Sequence, residues 1–72
     1  MTQKFYKINR QITAPTIRLL DEDGKQINVL SLAEAFQLSA ESGLDLVEVA
    51  GSAKPPVVKL IEFSKFKYQE AK

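Results

Sequence analysis

Residues 31–43 read SLAEAFQLSAESG, and this stretch specifies both ends of a helix. Ser31 followed three residues later by Glu34 is a capping box, in which each side chain satisfies a backbone N–H that the first helical turn leaves without a partner. Leu32, Ala35, Phe36, Ser39 and Ala40 recur at helical spacing on one face, and Gly43 can take the left-handed conformation that closes a helix. The spacing predicts a short, one-sided helix over 32–42, with Leu32, Phe36 and Ala40 turned toward a core.

Upstream, APTIRLL is a β-branched run after Pro15 and QINVL is a second, with DEDGK between them. Asp23-Gly24 tolerates the positive φ angles of a tight hairpin. A two-residue turn there predicts strands near 16–20 and 26–30, with Leu20 opposite Ile27 and Arg18 opposite Val29. Alternation alone leaves open which face is buried. Downstream, LDLVEVA predicts a strand near 45–50, GSAKPP interrupts the chain, and VVKLIEF predicts a strand near 57–62. Pro55 and Pro56 remove two backbone donors and hold the chain extended, as suits the start of a strand on an edge or at a bulge. Leu46, Val58 and Leu60 join the expected core. Val57, Lys59 and Ile61 point the other way, and a lysine is not buried unpaired, so that face is expected to be open around Lys59. Ser64, with Phe63 before it and Tyr68 at the fourth helical position, has the spacing of an N-cap with a hydrophobic staple, so a second helix is expected from 64 onward. The order is ββαββ with a carboxyl-terminal helix, an α+β fold. So few residues follow Ser64, against the ~12 to 15 that an isolated helix needs, that the sequence reads as stopping partway through an element of a longer protein.

With 72 residues, 44% of them hydrophobic and 26% charged, the chain has the composition of one globular domain close to the lower size limit for a self-sufficient core. It has no cysteine and no histidine. The best nucleophile and the usual general base and metal ligand are therefore missing, which argues against an enzyme and against a metal or cofactor site. DEDG resembles the start of a calcium loop, but counting from Asp21 the fifth position is Lys25 and the twelfth is Leu32, where oxygen ligands are required. Turn chemistry explains it better. The chain contains neither an apolar run of membrane-spanning length nor a signal-like start, so a cytoplasmic location is expected.

Charge is segregated along the sequence. Residues 1–18 hold Lys4, Lys7, Arg10 and Arg18 and no acid, whereas residues 19–53 hold Asp21, Glu22, Asp23, Glu34, Glu41, Asp45 and Glu48 against Lys25 alone. Residues 54–72 hold Lys54, Lys59, Lys65, Lys67 and Lys72 against Glu62 and Glu70. If folding brings the two ends together, they form one basic patch opposite an acidic face, suited to a polyanion. Lys65 and Lys67 fall in the expected first turn of the second helix, where the helix dipole disfavours cations by ~0.3 to 1 kcal/mol. A bound phosphate would reverse that cost. On the residues alone, phosphate contact and ordinary solvated lysines both remain open.

The stretch LDLVEVAGSAKPPVVKLIEFSKFKY, together with INRQITAPTIRLLDEDGKQI and SLAEAFQLSAESG upstream, resembles the amino-terminal domain of bacterial translation initiation factor three across residues 8–72. Departures are few: Val58 stands where the family often has cysteine, Glu62 where it has aspartate or asparagine, AGS at 50–52 lacks a common proline, and Arg10 replaces an acid. The resemblance implies a β-grasp-like domain over 1–63, with residues 1–8 as a flexible arm and a mixed four-stranded sheet packed on one helix. Residues 64–72 would begin a helical linker to a second domain. It further implies a monomer without a cofactor that binds the small ribosomal subunit, contacting ribosomal RNA and ribosomal proteins near the initiator transfer RNA. Such a protein keeps the large subunit away and helps reject wrong starts. Arg10, Arg18, Lys54, Lys59, Lys65, Phe66 and Lys67 are the expected contact residues. An alternative is a protein-interaction module whose sheet face docks a ribosomal protein without touching RNA.

Overall fold

Gly43 has a φ of 73° and its N–H donates to the Ser39 carbonyl at 2.9 Å, while the Ser31 hydroxyl accepts from the Glu34 N–H at 3.2 Å and the Glu34 carboxylate accepts from the Ser31 N–H. The helix of the opening stretch, α1, therefore runs Leu32–Ser42 between the two caps read from its sequence. The computed structural model describes residues 6–70. A 3₁₀ turn at Asn9–Gln11 leads to β1 (Thr16–Leu20) and β2 (Gln26–Ser31); after α1 come β3 (Asp45–Ala50), β4 (Val57–Ile61) and α2 (Phe63–Glu70). The strands form one mixed sheet in the order β2-β1-β4-β3, with β1 and β4 parallel and the outer pairs antiparallel. The expected α+β class, ββαββ order and carboxyl-terminal helix are the observed ones.

Strand alternation divides the sheet into two faces, and the two helices cover one each. Ile17, Leu19, Leu46 and Val58 are buried with Ala35 of α1 and Ile12, and Leu32, Phe36, Leu38 and Leu60 pack around them. Leu32, Phe36 and Leu60 are half-buried rather than fully enclosed, and Ala40, expected in the core, is exposed. Ala35 is the one fully buried residue of α1. The short methyl of Ala35 lets the helix settle there, which turns Ala40 outward. On the opposite face Val47, Ile61 and Phe66 are buried, with Tyr6, Ile8, Val49 and Phe63 packed against them. The face expected to be open around Lys59 is thus closed on its β3–β4 half by α2 and by the segment before the 3₁₀ turn.

The hairpin tip differs from the expected two-residue turn. The Gly24 N–H donates to the Asp21 carbonyl at 3.0 Å, the Asp21 N–H donates to the Lys25 carbonyl at 2.8 Å, and Gly24 has a φ of 89°. This is a three-residue loop ending in a left-handed glycine. The Asp21 carboxylate accepts from the N–H groups of Asp23 and Lys25, both at 2.9 Å, so it stabilises the loop from inside. The extra loop residue shifts the register at the tip, where Leu20 faces Gln26 instead of Ile27. A bulge at Ile27 then restores the expected pairing of Arg18 with Val29.

The second helix begins one residue before the expected cap. Phe63 is its first residue, the Phe66 N–H donates to the Glu62 carbonyl at 2.9 Å, and the Phe63 N–H donates to the Asp45 carboxylate at 2.9 Å. An acceptor supplied by β3 replaces a local Ser64 cap. The other oxygen of Asp45 accepts from the Asn9 amide N–H at 3.2 Å, and the Asn9 amide oxygen accepts the Leu46 N–H at 3.0 Å. Asn9 sits at a φ of 48°, a left-handed conformation that asparagine tolerates better than most residues. The Asn9–Asp45 pair therefore fastens the segment before β1, the β3 edge and the start of α2 together. Within the arm expected at 1–8, residues 6–8 are docked: the Glu48 N–H donates to the Lys7 carbonyl at 2.9 Å and Ile8 bridges Val47. Residues 1–5 lie outside the described residues.

Candidate functional site

α2 is held on the sheet by three sets of contacts. Phe66 is 2% exposed, with the Tyr6 ring edge-on to it at 4.9 Å and Phe63 stacked at 6.3 Å. Asp45 holds the first N–H of the helix. The Tyr6 hydroxyl donates to the Glu70 carboxylate at 3.1 Å in the last turn. Desolvation against this cluster and then the Glu70 carboxylate raise the Tyr6 phenol above its ordinary pKa. Phe66, expected among the contact residues, is consequently a core residue: it orients the surface and has almost no area with which to touch a partner.

The remaining expected contacts do not all meet. Lys59 of β4 places its ammonium 6.0 Å from the Phe66 ring centre, and Lys67 lies 5.4 Å from the Phe63 ring centre. Lys65, at 3.3 Å from Glu22 in the hairpin loop, joins α2 to the β1–β2 tip. Both partners of that ion pair are well exposed, at 48% and 39%, where such pairs contribute only ~0 to 1 kcal/mol. Arg18 of β1 lies on the same face as Lys59 and donates to the Gln26 side chain at 2.9 Å. Arg10, in the 3₁₀ turn, lies 5.7 Å from the Phe36 ring centre on the α1 side, and Lys54 is exposed in the loop between β3 and β4. Lys67 belongs to the last turn of the described helix rather than to its first. A phosphate at the helix start is also less favoured than the dipole alone suggests, because the Asp45 carboxylate already occupies the first N–H.

The charge segregation shows in the two helices but does not divide the two sides of the sheet cleanly, since Arg10 lies over Phe36 on the α1 side while Glu22 and Asp45 contact α2. α1 carries Glu34 and Glu41 and no base, whereas α2 carries Lys65 and Lys67 against Glu70. A groove of about 260 Å³ runs between α2 and the hairpin, bounded by Tyr6, Leu20, Gly24, Lys59 and Glu70. Among the described residues no cluster of three metal-ligating side chains occurs, and no helix is long and apolar enough to cross a membrane. The Asn9–Asp45 pair was beyond sequence reading. Its partners are 36 positions apart, and neither carries a local signal.

Comparison with known proteins places this architecture. The family model described as "Translation initiation factor IF-3, N-terminal domain" matches residues 8–72. A translation initiation factor IF-3 of Aquifex aeolicus is 52% identical over 66 residues, covering 92% of this chain and 38% of that protein. One from Ralstonia nicotianae is 49% identical over 71 residues, covering 99% and 40%, and one from Chlamydia muridarum is 47% identical over 66 residues, covering 92% and 36%. The chain spans about two-fifths of the length of these relatives. The match across both hairpins and both helices shows that the chain belongs to the translation initiation factor IF-3 family and corresponds to its N-terminal domain.

Proposed function

We propose that this domain binds the small ribosomal subunit during initiation and meets ribosomal RNA through Lys59, Lys65 and Lys67. The observation that carries this reading is the placement of the three lysines on ordered backbone, on the side of the sheet away from the acidic α1, in a chain of this family. Aromatic rings hold two of the ammonium groups above the core, so little side-chain freedom is forfeited when a phosphate binds. The third, Lys65, has to exchange Glu22 for a phosphate, and the exposed pair is weak enough for that exchange to be favourable. The role is binding rather than catalysis. We place α2 at the start of a linker to a second domain, in keeping with the greater length of the relatives, and we assign to the whole protein a part in keeping subunits apart and in checking the initiator transfer RNA.

Neutralising the three lysines together as Lys59→Gln, Lys65→Gln and Lys67→Gln tests the reading. Binding to purified small subunits is measured across a salt series, in the full protein and in this chain. Each lysine–phosphate pair removed is expected to lower the magnitude of the salt slope by about one unit, so the slope of the triple variant should be shallower by about three. An unchanged slope and affinity would sink the phosphate reading.

A further inference from the structure

The half of the sheet that α2 leaves uncovered has a composition that phosphate recognition does not explain. Across β2, β1 and β4, Val29 pairs with Arg18 and Arg18 with Val57, and in the next row Gln26 pairs with Leu20 and Leu20 with Lys59. Val29 is 41% exposed and Ile27, the bulge residue beside it, is 48% exposed; neither belongs to either apolar cluster. Strand β2 reads QINVLS, with no charge and no proline. It is an edge strand, and edges are usually blunted by charged residues or proline. Arg18 is the cation beside Val29 and Val57, with Lys59 one row further along. Its guanidinium donates to the side-chain amide oxygen of Gln26 at 2.9 Å, which holds the arginine head toward the strand that carries Ile27 and Val29.

We infer that this surface, Arg18 with Leu20, Ile27, Val29 and Val57, docks a protein segment that presents an aliphatic side chain next to a carboxylate. RNA offers phosphates and stacked bases and little aliphatic surface, so it would leave Ile27 and Val29 wet or bury its phosphates against them without compensation. A protein carboxylate can pair with the guanidinium fork while its neighbouring aliphatic side chain covers Val29 and Ile27, satisfying charge and apolar area together. The contact proposed is made through side chains rather than by strand addition, because the Val29 N–H already donates to the Asn28 amide oxygen at 2.8 Å. The inference rests on the small-subunit reading above and goes beyond it by assigning a second, protein-facing surface whose chemistry differs from that of the lysines.

The test uses purified small subunits and two readouts. First, Ile27→Thr with Val29→Thr keeps β-branched residues on the strand and removes apolar area at exposed positions. Its affinity is expected to fall about tenfold, with the salt slope and the thermal midpoint of the free chain unchanged. Second, a benzophenone side chain at position 27 is photo-crosslinked on the subunit, and the adduct is expected on a ribosomal protein within a few residues of an aspartate or glutamate. An adduct on RNA, an adduct on a second copy of this chain, no adduct, or an unchanged affinity of the threonine variant each overturns the inference while leaving the lysine reading intact. A parent chain that does not bind subunits at all overturns the small-subunit reading and this inference with it.

Discussion

Phe66→Ala is expected to destabilise the domain by about 3–5 kcal/mol, the range for truncating a buried phenylalanine. The ring is 2% exposed, and it packs against Val47 and Ile61 of the sheet, Tyr6 of the amino-terminal segment and Phe63 of its own helix. Removing it opens a cavity at the centre of the smaller of the two apolar clusters. A domain of 72 residues has a total stability of roughly 4–11 kcal/mol, so the variant stands close to the unfolding limit. Urea denaturation read by circular dichroism measures the loss. Amide exchange adds a second check: protection should fall first in α2 and in residues 6–9, with β1 and α1 retaining more. A loss below about 1 kcal/mol would mean that α2 does not close this face of the sheet.

Asp45→Ala is expected to cost about 1.5–3 kcal/mol, the range for a hydrogen bond to a charged group. Its two oxygens serve different elements, the first N–H of α2 and the Asn9 amide. Asp45→Asn keeps one acceptor and should fall between the parent and the alanine variant. Because Asn9 depends on the same carboxylate, Asn9→Ala and Asp45→Ala combined should cost less than the sum of the two, by at least about 0.5 kcal/mol in a double-mutant cycle. Additive losses would show that the segment before β1 and the start of α2 are fastened independently.

Much of this fold was legible because its signals are local. The α1 caps, the Asp-Gly turn and the alternating strands each fall within a few residues, and the strand and helix limits follow them closely. Where sequence and structure differ, a distant residue supplies what a local one was expected to supply. Ser64 looked like a cap because nothing nearby revealed that Asp45 would provide the acceptor. Lys59 looked exposed because the packing of Tyr6 and Phe66 beneath it depends on both chain ends meeting. Phe66 looked like a contact because its helix was known only as a short basic stretch. The bulge at Ile27 could not be inferred either, since it compensates a loop length that was itself expected to be two residues. Of the candidate surface, charge was readable and geometry was not: the segregation singled out the bases near the two chain ends, but not the separation of Arg10 and Lys54 from the others.

The parallel pairing of β1 with β4 at the centre of the sheet has a kinetic consequence. Each outer hairpin-like pair, β1–β2 and β3–β4, is a two-stranded ribbon that is at best marginal in water by itself. The seam between them joins Leu19 to Val58 and can close only after β2, α1 and β3 have been brought round. Most of the loop-closure entropy is therefore surrendered before the larger apolar cluster forms, so refolding is expected to be slower than that of helical bundles of this size and faster than that of all-β barrels. It also makes the domain indivisible, since a cut between α1 and β3 yields two ribbons that acquire structure only when they find each other.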